Sequence, residues 1–316
     1  MMLRLLLGRL GSFLVTLLAA SAVVFVVLDI LPGDPAAILL GTSARPDTLA
    51  ALHHQLGLDR PLILQYLAWI GGALTGDLGT SITYGVPVSG LIADRLALTL
   101  PLALLAILIS TSLALLLGVT AAAHRDRAID RAVQGFAQLG IAVPDFWIGL
   151  LLILLFSTGL NWFSAGGWSG WSAGAGKALA GLILPAIALA LPQAGVLTRV
   201  TRAAVLDVLA EDFIRTARAK GLDRHTALWR HALPNALLPV VTILGLQVSF
   251  LVAGAVLVEN VFSLPGLGRL AYLALSQRDL IVLRNVVMLL AAMVILANFI
   301  VDLVYLILDP RLRARS

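Results

Sequence analysis

Six stretches of the chain are predominantly apolar over about 20 residues or more, at about 10–31, 98–123, 133–158, 178–198, 236–259 and 286–308. A helix needs roughly 20 such residues to cross a hydrocarbon core about 30 Å thick. Lipid offers no hydrogen-bond partner to open backbone, so a run of this kind must close its bonds internally as a helix. The pattern therefore predicts an all-α integral membrane protein with six transmembrane helices. Two polar stretches interrupt it: a long one between the first two runs, about 32–97, and a charged one between the fourth and fifth, about 199–235.

The charged stretch is the most polar part of the sequence. Arg199 to Pro239 carries seven cations: Arg199, Arg202, Arg215, Arg218, Lys220, Arg224 and Arg230. It reads as two short helices, Leu209 to Lys220 and Arg224 to Ala232. Gly221 lies between them, where a helix that stops needs a residue tolerant of left-handed angles. Leu233-Pro234 is read as the end of the second helix, since proline cannot donate to the preceding turn. A charged helix–glycine–helix between apolar spans is suited to being gripped from the aqueous phase.

Composition narrows the class. Of 316 residues 60% are hydrophobic and 12% charged, against about 25% charged in a soluble domain. The mean hydropathy is +0.99, which excludes a soluble globular protein. The net charge of +5 sits at the ends of apolar runs, as membrane orientation requires, so no nucleic acid is expected as a partner. With no cysteine, disulfides, thiolate metal sites and cysteine nucleophiles are excluded. Orientation follows from the cations. With the N-terminus inside, Arg4, Arg9, Arg125, Arg127, Arg131, the seven above, Arg311, Arg313 and Arg315 face the cytoplasm, fifteen of 22. Arg45, Arg60, Arg95, Lys177, Arg269, Arg278 and Arg284 face outward, so both termini are expected inside. Arg4, Arg9 and Ala20-Ser21-Ala22 imitate a signal peptide, but the apolar run continues to Leu31, and an uncleaved first span is expected.

Between the spans, Pro32-Gly33-Asp34-Pro35 stops the first run with rigid turn chemistry. Asp47 to Leu56 reads as a helix ended by Gly57. Leu62 to Leu74, with Tyr66 and Trp69, reads as a helix lying at the membrane surface, and Gly76-Asp77-Leu78-Gly79 as a tight turn. His53-His54 does not make a metal site, because adjacent helical residues point about 100° apart. The loop at 159–177 reads as a flexible turn held by Trp162, Trp168 and Trp171. Within it, Gly174-Ala175-Gly176-Lys177 fails as a phosphate loop: Trp171 stands where glycine is needed and Ala178 where Ser or Thr is.

Few polar residues fall inside the spans. The second reads as an uninterrupted lipid-facing run. Asp145, after Pro144 in the third, is the clearest intramembrane charge, and a carboxylate at that depth faces protein or water. Two readings of it stay open: a residue of a translocation path, or a cap on donors freed at a helix break. Pro185 and Pro192 predict a kink in the fourth span. In the fifth, Gly245, Ser249 and Ala253 form a small-residue stripe for helix packing; Gln247, Ser249 and Glu259 join Asp145 as path candidates, with Glu259 ending the span on the outer side. Pro265-Gly266-Leu267-Gly268 and the following residues predict a short helix at the outer face. Asp302 is expected to anchor with the terminal arginines. No nucleophile–base pair, metal cluster or phosphate cradle is present, so no catalysis is expected.

With Gly221 as anchor, nine residues separate it from His231-Ala232-Leu233-Pro234. This spacing resembles the cytoplasmic coupling loop of binding-protein-dependent ABC importer permeases: Glu-Ala-Ala, three residues, Gly, nine residues, then x-x-Leu-Pro. The Glu-Ala-Ala slot falls on Arg215-Thr216-Ala217 and keeps only its last alanine. That departure itself resembles the dipeptide/oligopeptide/nickel branch, as do LPGDP at 31–35, GDLGTS at 76–81, ENVFSLPGLGRL at 259–270 and VDLVYLILDPRLR at 301–313.

The resemblance implies one type I-like permease domain over 1–316 in a bacterial inner membrane. It would couple to ATPases through Glu211, Arg215, Thr216, Ala217, Lys220, Gly221, Leu233 and Pro234. It also implies a second, similar permease as heterodimer partner, two ABC ATPase subunits that hold ATP and Mg, and an extracytoplasmic solute-binding protein that delivers peptides or related small solutes. This chain itself would bind no cofactor and hydrolyse nothing. A secondary transporter or channel would call for repeats or broken helices at matching positions in two halves, which the sequence lacks, and a membrane scaffold or receptor leaves the charged handle unexplained. Dipeptide, oligopeptide, glutathione-like conjugate, nickel chelate and sugar all remain compatible as solute.

Overall fold

The computed structural model describes residues 2–30, 35–40, 45–57 and 59–308; residues 31–34 of the LPGDP run and the terminal arginines lie outside them. In chain order the helices are α1 Met2–Asp29, α2 Pro35–Leu40, α3 Pro46–Leu56, α4 Leu62–Thr75, α5 Val88–Ala123, α6 Ala128–Ala142, α7 Asp145–Leu152, α8 Ala175–Leu209, α9 Asp212–Ala219, α10 Arg224–Thr226, α11 Leu233–Val261, α12 Leu267–Ser276 and α13 Leu280–Leu308. Five helical segments among the described residues are long and apolar enough to cross a membrane, and α6 with α7 makes up to a sixth. The fold is that of an all-α membrane protein.

The third apolar run is not one straight helix. α6 and α7 meet at 102°. Val143 takes extended angles before Pro144 (φ −97°, ψ 124°), as a residue preceding proline must, and Pro144 removes the donor that would carry the helix through. Past α7 the turn widens into a π-helical segment, Ile153–Gly159. By contrast α8 runs unbroken through Pro185 and Pro192.

The chain forms two compact units. The first is built on Leu100–Leu264, with the start of α1 through Arg9 and the end of α13 from Leu296. Within it α5 is two-faced rather than uniformly lipid-facing: Leu102, Ala106, Ser110 and Ala114 are buried at four-residue steps, while Leu104, Leu108 and Leu116 stay exposed. α6 and α8 approach backbone to backbone, since a Cβ on Gly195 would come within 2.6 Å of the Ala137 carbonyl. Arg202 on α8 then grips Asp130 on α6 with both guanidinium edges, Nε to Oδ1 and Nη2 to Oδ2, each at 2.7 Å. Asp130 also accepts from the Asp126 N–H at 2.9 Å. Asp302 pairs with Arg9 of α1 at 2.6 Å, so the anchoring partner it finds among the described residues comes from the other end of the chain. The expected small-residue stripe is only partly used: Gly245 lets Val301 of α13 come close, but Ala253 is exposed.

The second unit comprises Leu10–Thr99 and Pro265–Ile295. Its core joins Val88 and Ile92 of α5, Leu267, Leu270, Ala271 and Ala274 of α12, and Val282, Leu283 and Val286 of α13. α3 ends at Gly57 and α4 at Gly76, both left-handed, as their sequence position predicts. Tyr66 and Trp69 find their partners within the protein. The Tyr66 hydroxyl meets Ser21 Oγ at 2.8 Å, and Trp69 stacks on Phe25 and donates to Asn285 Oδ1 at 2.9 Å. An indole buried in an apolar setting needs an acceptor for its N–H, and Asn285 supplies it.

The GDLGTS run owes its shape to α13. Asn285 Nδ2 donates to the Leu78 carbonyl at 2.9 Å. Fully buried Asp279 accepts from Ser81 Oγ at 2.5 Å, Thr83 N–H at 3.0 Å and Val282 N–H at 3.1 Å. Removing that carboxylate strands three donors, each costing about 1–3 kcal/mol when buried. Asp279→Ala should therefore lower the midpoint of thermal unfolding in detergent by several degrees, followed by tryptophan fluorescence. Asp94→Ala, at an exposed position, should leave it unchanged. Equal midpoints for both variants would remove Asp279 from the framework.

Candidate functional site

The charged stretch folds as a hinged bracket at the ends of the long helices. α8 extends past its apolar part to Leu209, so Arg199 and Arg202 lie on its last turns rather than in a loop. Glu211 is extended (φ −67°, ψ 148°) and starts α9, its carbonyl accepting from Ile214 and Arg215. Asp212 in the first turn and Arg218 in the last both suit the helix dipole. α9 closes in a Schellman arrangement: Gly221 N–H donates to the Arg218 carbonyl at 3.0 Å and Leu222 N–H to the Ala217 carbonyl at 3.3 Å. This requires φ of +97° at Gly221, where an added Cβ would meet nothing within 4 Å. The constraint there is conformational, not steric.

Asp223 then caps α10, accepting from His225 N–H at 3.0 Å and Thr226 N–H at 3.1 Å. The Thr226 hydroxyl and backbone N–H, with that of His225, hold the Asp223 carboxyl below the usual carboxylate range. The cap is therefore at full strength above the unfolded carboxyl's pKa and is lost as pH falls through the lowered folded value. The second helix does not end at Leu233-Pro234. It widens into a π-helical segment, Ala227–Ala232, and continues as α11, with Pro234 in that helix's first turn. Helical angles continue through Ala232 and Leu233, so Pro234 lies within one helical span from Arg224 to Val261 and does not stop it.

What fixes the bracket is one apolar cluster. Ile214 of α9, 2% exposed, packs with Val119 and Ala122 of α5, Ala204 and Val205 of α8, Ala227, Leu228 and Ala232 of the π-helical segment, and Ala236 of α11. Leu233 packs against the same cluster. Ala217, one turn beyond Ile214, is the only other residue of α9 that is not exposed. Arg215 reaches the Ala210 carbonyl at 3.2 Å and Asp212 Oδ1 at 3.1 Å, Thr216 donates to the Asp212 carbonyl at 2.9 Å, and Lys220 is exposed. The seven cations divide. Arg202 is taken by Asp130, Arg224 donates to the Ala123 carbonyl at 2.9 Å, and Arg199 meets Gln138 Oε1 at 3.4 Å. Arg218, Lys220 and Arg230 are exposed, with Phe213 and Trp229.

The path candidates differ in burial and in partners. Asp145 opens α7 directly after the break; its Oδ1 accepts from Phe146 N–H at 2.7 Å and its Oδ2 lies against Gly254 of α11. Gln247, 2% exposed, donates to the Gln193 carbonyl of α8 at 2.7 Å, while its own Oε1 is buried without a partner. Ser249 is partly buried. Glu259 is completely buried near the end of α11 and does not end the span in water. The sequence reading missed Ile214, Asp130 and Asp223. Ile214 was legible as the one aliphatic residue in Glu211–Lys220 besides alanines, and Asp223 as an Asp directly before a helix start.

The chain is similar to known proteins over nearly its whole length. The model of the binding-protein-dependent transport system inner membrane component matches residues 114–314, and the model of that system's N-terminal membrane component matches residues 2–103. A Brucella melitensis protein assigned as a peptide transport system permease is 41% identical over 320 residues, 99% of each chain. The dipeptide transport system permease protein DppB of Escherichia coli K12 is 40% identical over 340 residues and the full length of both. Among solved structures, a chain of the inward-facing MetNI methionine ABC transporter superposes with a TM-score of 0.56 at 19% identity, covering 69% of this chain and 96% of that one.

Because Ile214 carries most of the contact between α9 and the body, Ile214→Ala should cost about 2–5 kcal/mol of that docking. Trypsin should then cut at Arg215, Arg218 and Lys220 much faster while far-ultraviolet circular dichroism stays unchanged. Phe213→Ala, on the exposed face, should digest like the wild type. Unaltered digestion of Ile214→Ala would mean that α9 is held by something else.

Proposed function

We propose, from the premise that this chain belongs to the family of binding-protein-dependent transport system inner membrane components, that it is the permease subunit of an ATP-driven importer of peptides or related small solutes. The whole chain acts as one permease domain, with both termini in the cytoplasm. It is paired with a second, similar permease, and an extracytoplasmic binding protein delivers the solute. It performs no hydrolysis. Two ABC ATPase subunits hold ATP and Mg, and they grip this chain by α9 and the turn at Gly221.

The observation that carries this reading is the mounting of α9. Six of its eight residues are exposed while Ile214 is sunk among the ends of α5, α8 and α11. A helix so placed has one face to offer and one point of attachment. A pull on it is delivered to three spans at once, because close-packed side chains transmit displacement rather than absorb it. Closure of an ATPase dimer would thus rock α5, α8 and α11 as a body. Glu211, Arg215, Thr216, Ala217, Lys220 and Gly221 form the contact, and Leu233-Pro234 continues it into α11. Asp145, Gln247, Ser249 and Glu259 serve the passage of solute, Asp145 from the mouth of a helix break that the body motion can open.

The test is reconstitution of the complete importer, with hydrolysis and uptake measured together. In Gly221→Asp a β-carbon is forced into left-handed angles at a cost of about 1 kcal/mol or more, and a charge is added to the contact face. Uptake should fall at least roughly tenfold relative to hydrolysis, or the ATPases should dissociate. Arg224→Ala, which loses one exposed bond, should change coupling little, by about 0–1 kcal/mol. Wild-type coupling in Gly221→Asp would remove the role given to this loop.

A further inference from the structure

The second unit contains a cavity of about 210 Å³ lined by Arg95, Pro265, Gly266, Arg269, Leu270 and Leu273. Its two walls are α5 and the start of α12, held in register by Thr99 Oγ1, which accepts the Leu267 N–H at 2.9 Å from a 4% exposed position. Two arginines therefore line one recess, and no carboxylate is among the lining residues. Arg95 Nε is buried without an acceptor. A guanidinium edge withdrawn from water is stable only when something accepts from it, so Arg95, one of the lining residues, is short of an acceptor. Guanidinium forks bind carboxylates bidentately. The remaining lining, Leu270 and Leu273 with Pro265, is apolar and suits an aliphatic side chain beside the anionic end. The volume lies below the roughly 300–1,000 Å³ of sites that enclose a whole drug-sized ligand. It takes in the end of a solute.

We propose that this cavity is a subsite for the C-terminal carboxylate of a short peptide, with Arg95 and Arg269 on the carboxylate and Leu270 and Leu273 on the last side chain. The identity of the ligand rests on the importer reading above; the existence of an oxyanion site does not. A lipid phosphate presents the same oxygen chemistry, and the experiment separates the two sources.

The chain has no cysteine, so Leu273→Cys places one thiol in the cavity wall. The full chain carrying it is reconstituted in phosphatidylcholine nanodiscs, and its rate of maleimide labelling is followed. N-acetyl-alanine at about ten times its Kd should slow labelling roughly tenfold by mass action, whereas N-acetyl-alaninamide at equal ionic strength should not. Protection should vanish when Arg95→Gln is added. If that variant does not fold, Arg95→Lys, which keeps the charge and loses the fork, should weaken protection several-fold. Equal protection by acid and amide, or none by either, overturns the site. Protection by phosphatidylglycerol but not by N-acetyl-alanine assigns the cavity to lipid and overturns the peptide subsite. Peptide uptake by the complete importer without protection leaves the function standing and removes the subsite; protection without peptide uptake does the reverse.

Discussion

The burial of Ile214 is the contact on which the rest of this structure depends. It is one large aliphatic side chain on a helix of eight residues, six of which are exposed. Such a helix is too short to persist in water on propensity alone. Its order comes from tertiary contact through Ile214 and Ala217, from the left-handed Gly221 at its end and from the Asp223 cap on the following segment. The same cluster draws in α5, α8 and α11, so the part of the chain best suited to an outside partner is also where three apolar spans end together. The Arg202–Asp130 pair adds α6 to that junction through α8. A buried ion pair of this kind is weak evidence for stability, since desolvation offsets most of its attraction. Its bidentate geometry instead fixes the register of one helix on another.

A second constraint comes from the hydrocarbon, in which no backbone group can go unpaired. The chain meets it with long helices and breaks one of them on purpose. Pro144 turns α6 into α7, and Asp145 sits at the corner with its carboxylate on the next N–H and against Gly254. Both earlier readings of Asp145 survive in this geometry, because a cap on freed donors and a polar group lining a passage are compatible at a helix break. Glycines elsewhere set distances between spans, as Gly195 does beneath Ala137 and Gly245 beside Val301.

Much of this was legible in the sequence, for reasons that differ by element. Five of the spans follow from run length alone; the third run, broken at Pro144, does not. Helix ends at Gly57, Gly76 and Gly221 follow from the one residue that adopts left-handed angles freely. The reading failed where two local outcomes share one chemistry. A proline ends a helix or is carried within one, and at Pro234 the helix runs on from the π-helical segment into α11. The partners of Tyr66 and Trp69, the distant Ser21, Phe25 and Asn285, were likewise invisible in the pattern of one apolar helix. The pairs that fix the framework, Arg202 with Asp130 across 72 positions and Ser81 with Asp279 across 198, leave no periodic trace in a single sequence.

The central claim is that the exposed face of α9 meets an ATPase in the cytoplasm. Phe213 stands on that face beside buried Ile214 and is 46% exposed, and the chain offers no competing thiol. The most direct measurement is cross-linking from Phe213→Cys in the fully assembled importer with a short bifunctional maleimide, resolved by mass spectrometry in the absence and presence of ATP. The account predicts an adduct with an ATPase subunit whose yield changes with nucleotide. It is contradicted if no ATPase adduct forms while the same cysteine reacts, in intact cells, with a membrane-impermeant reagent added from outside.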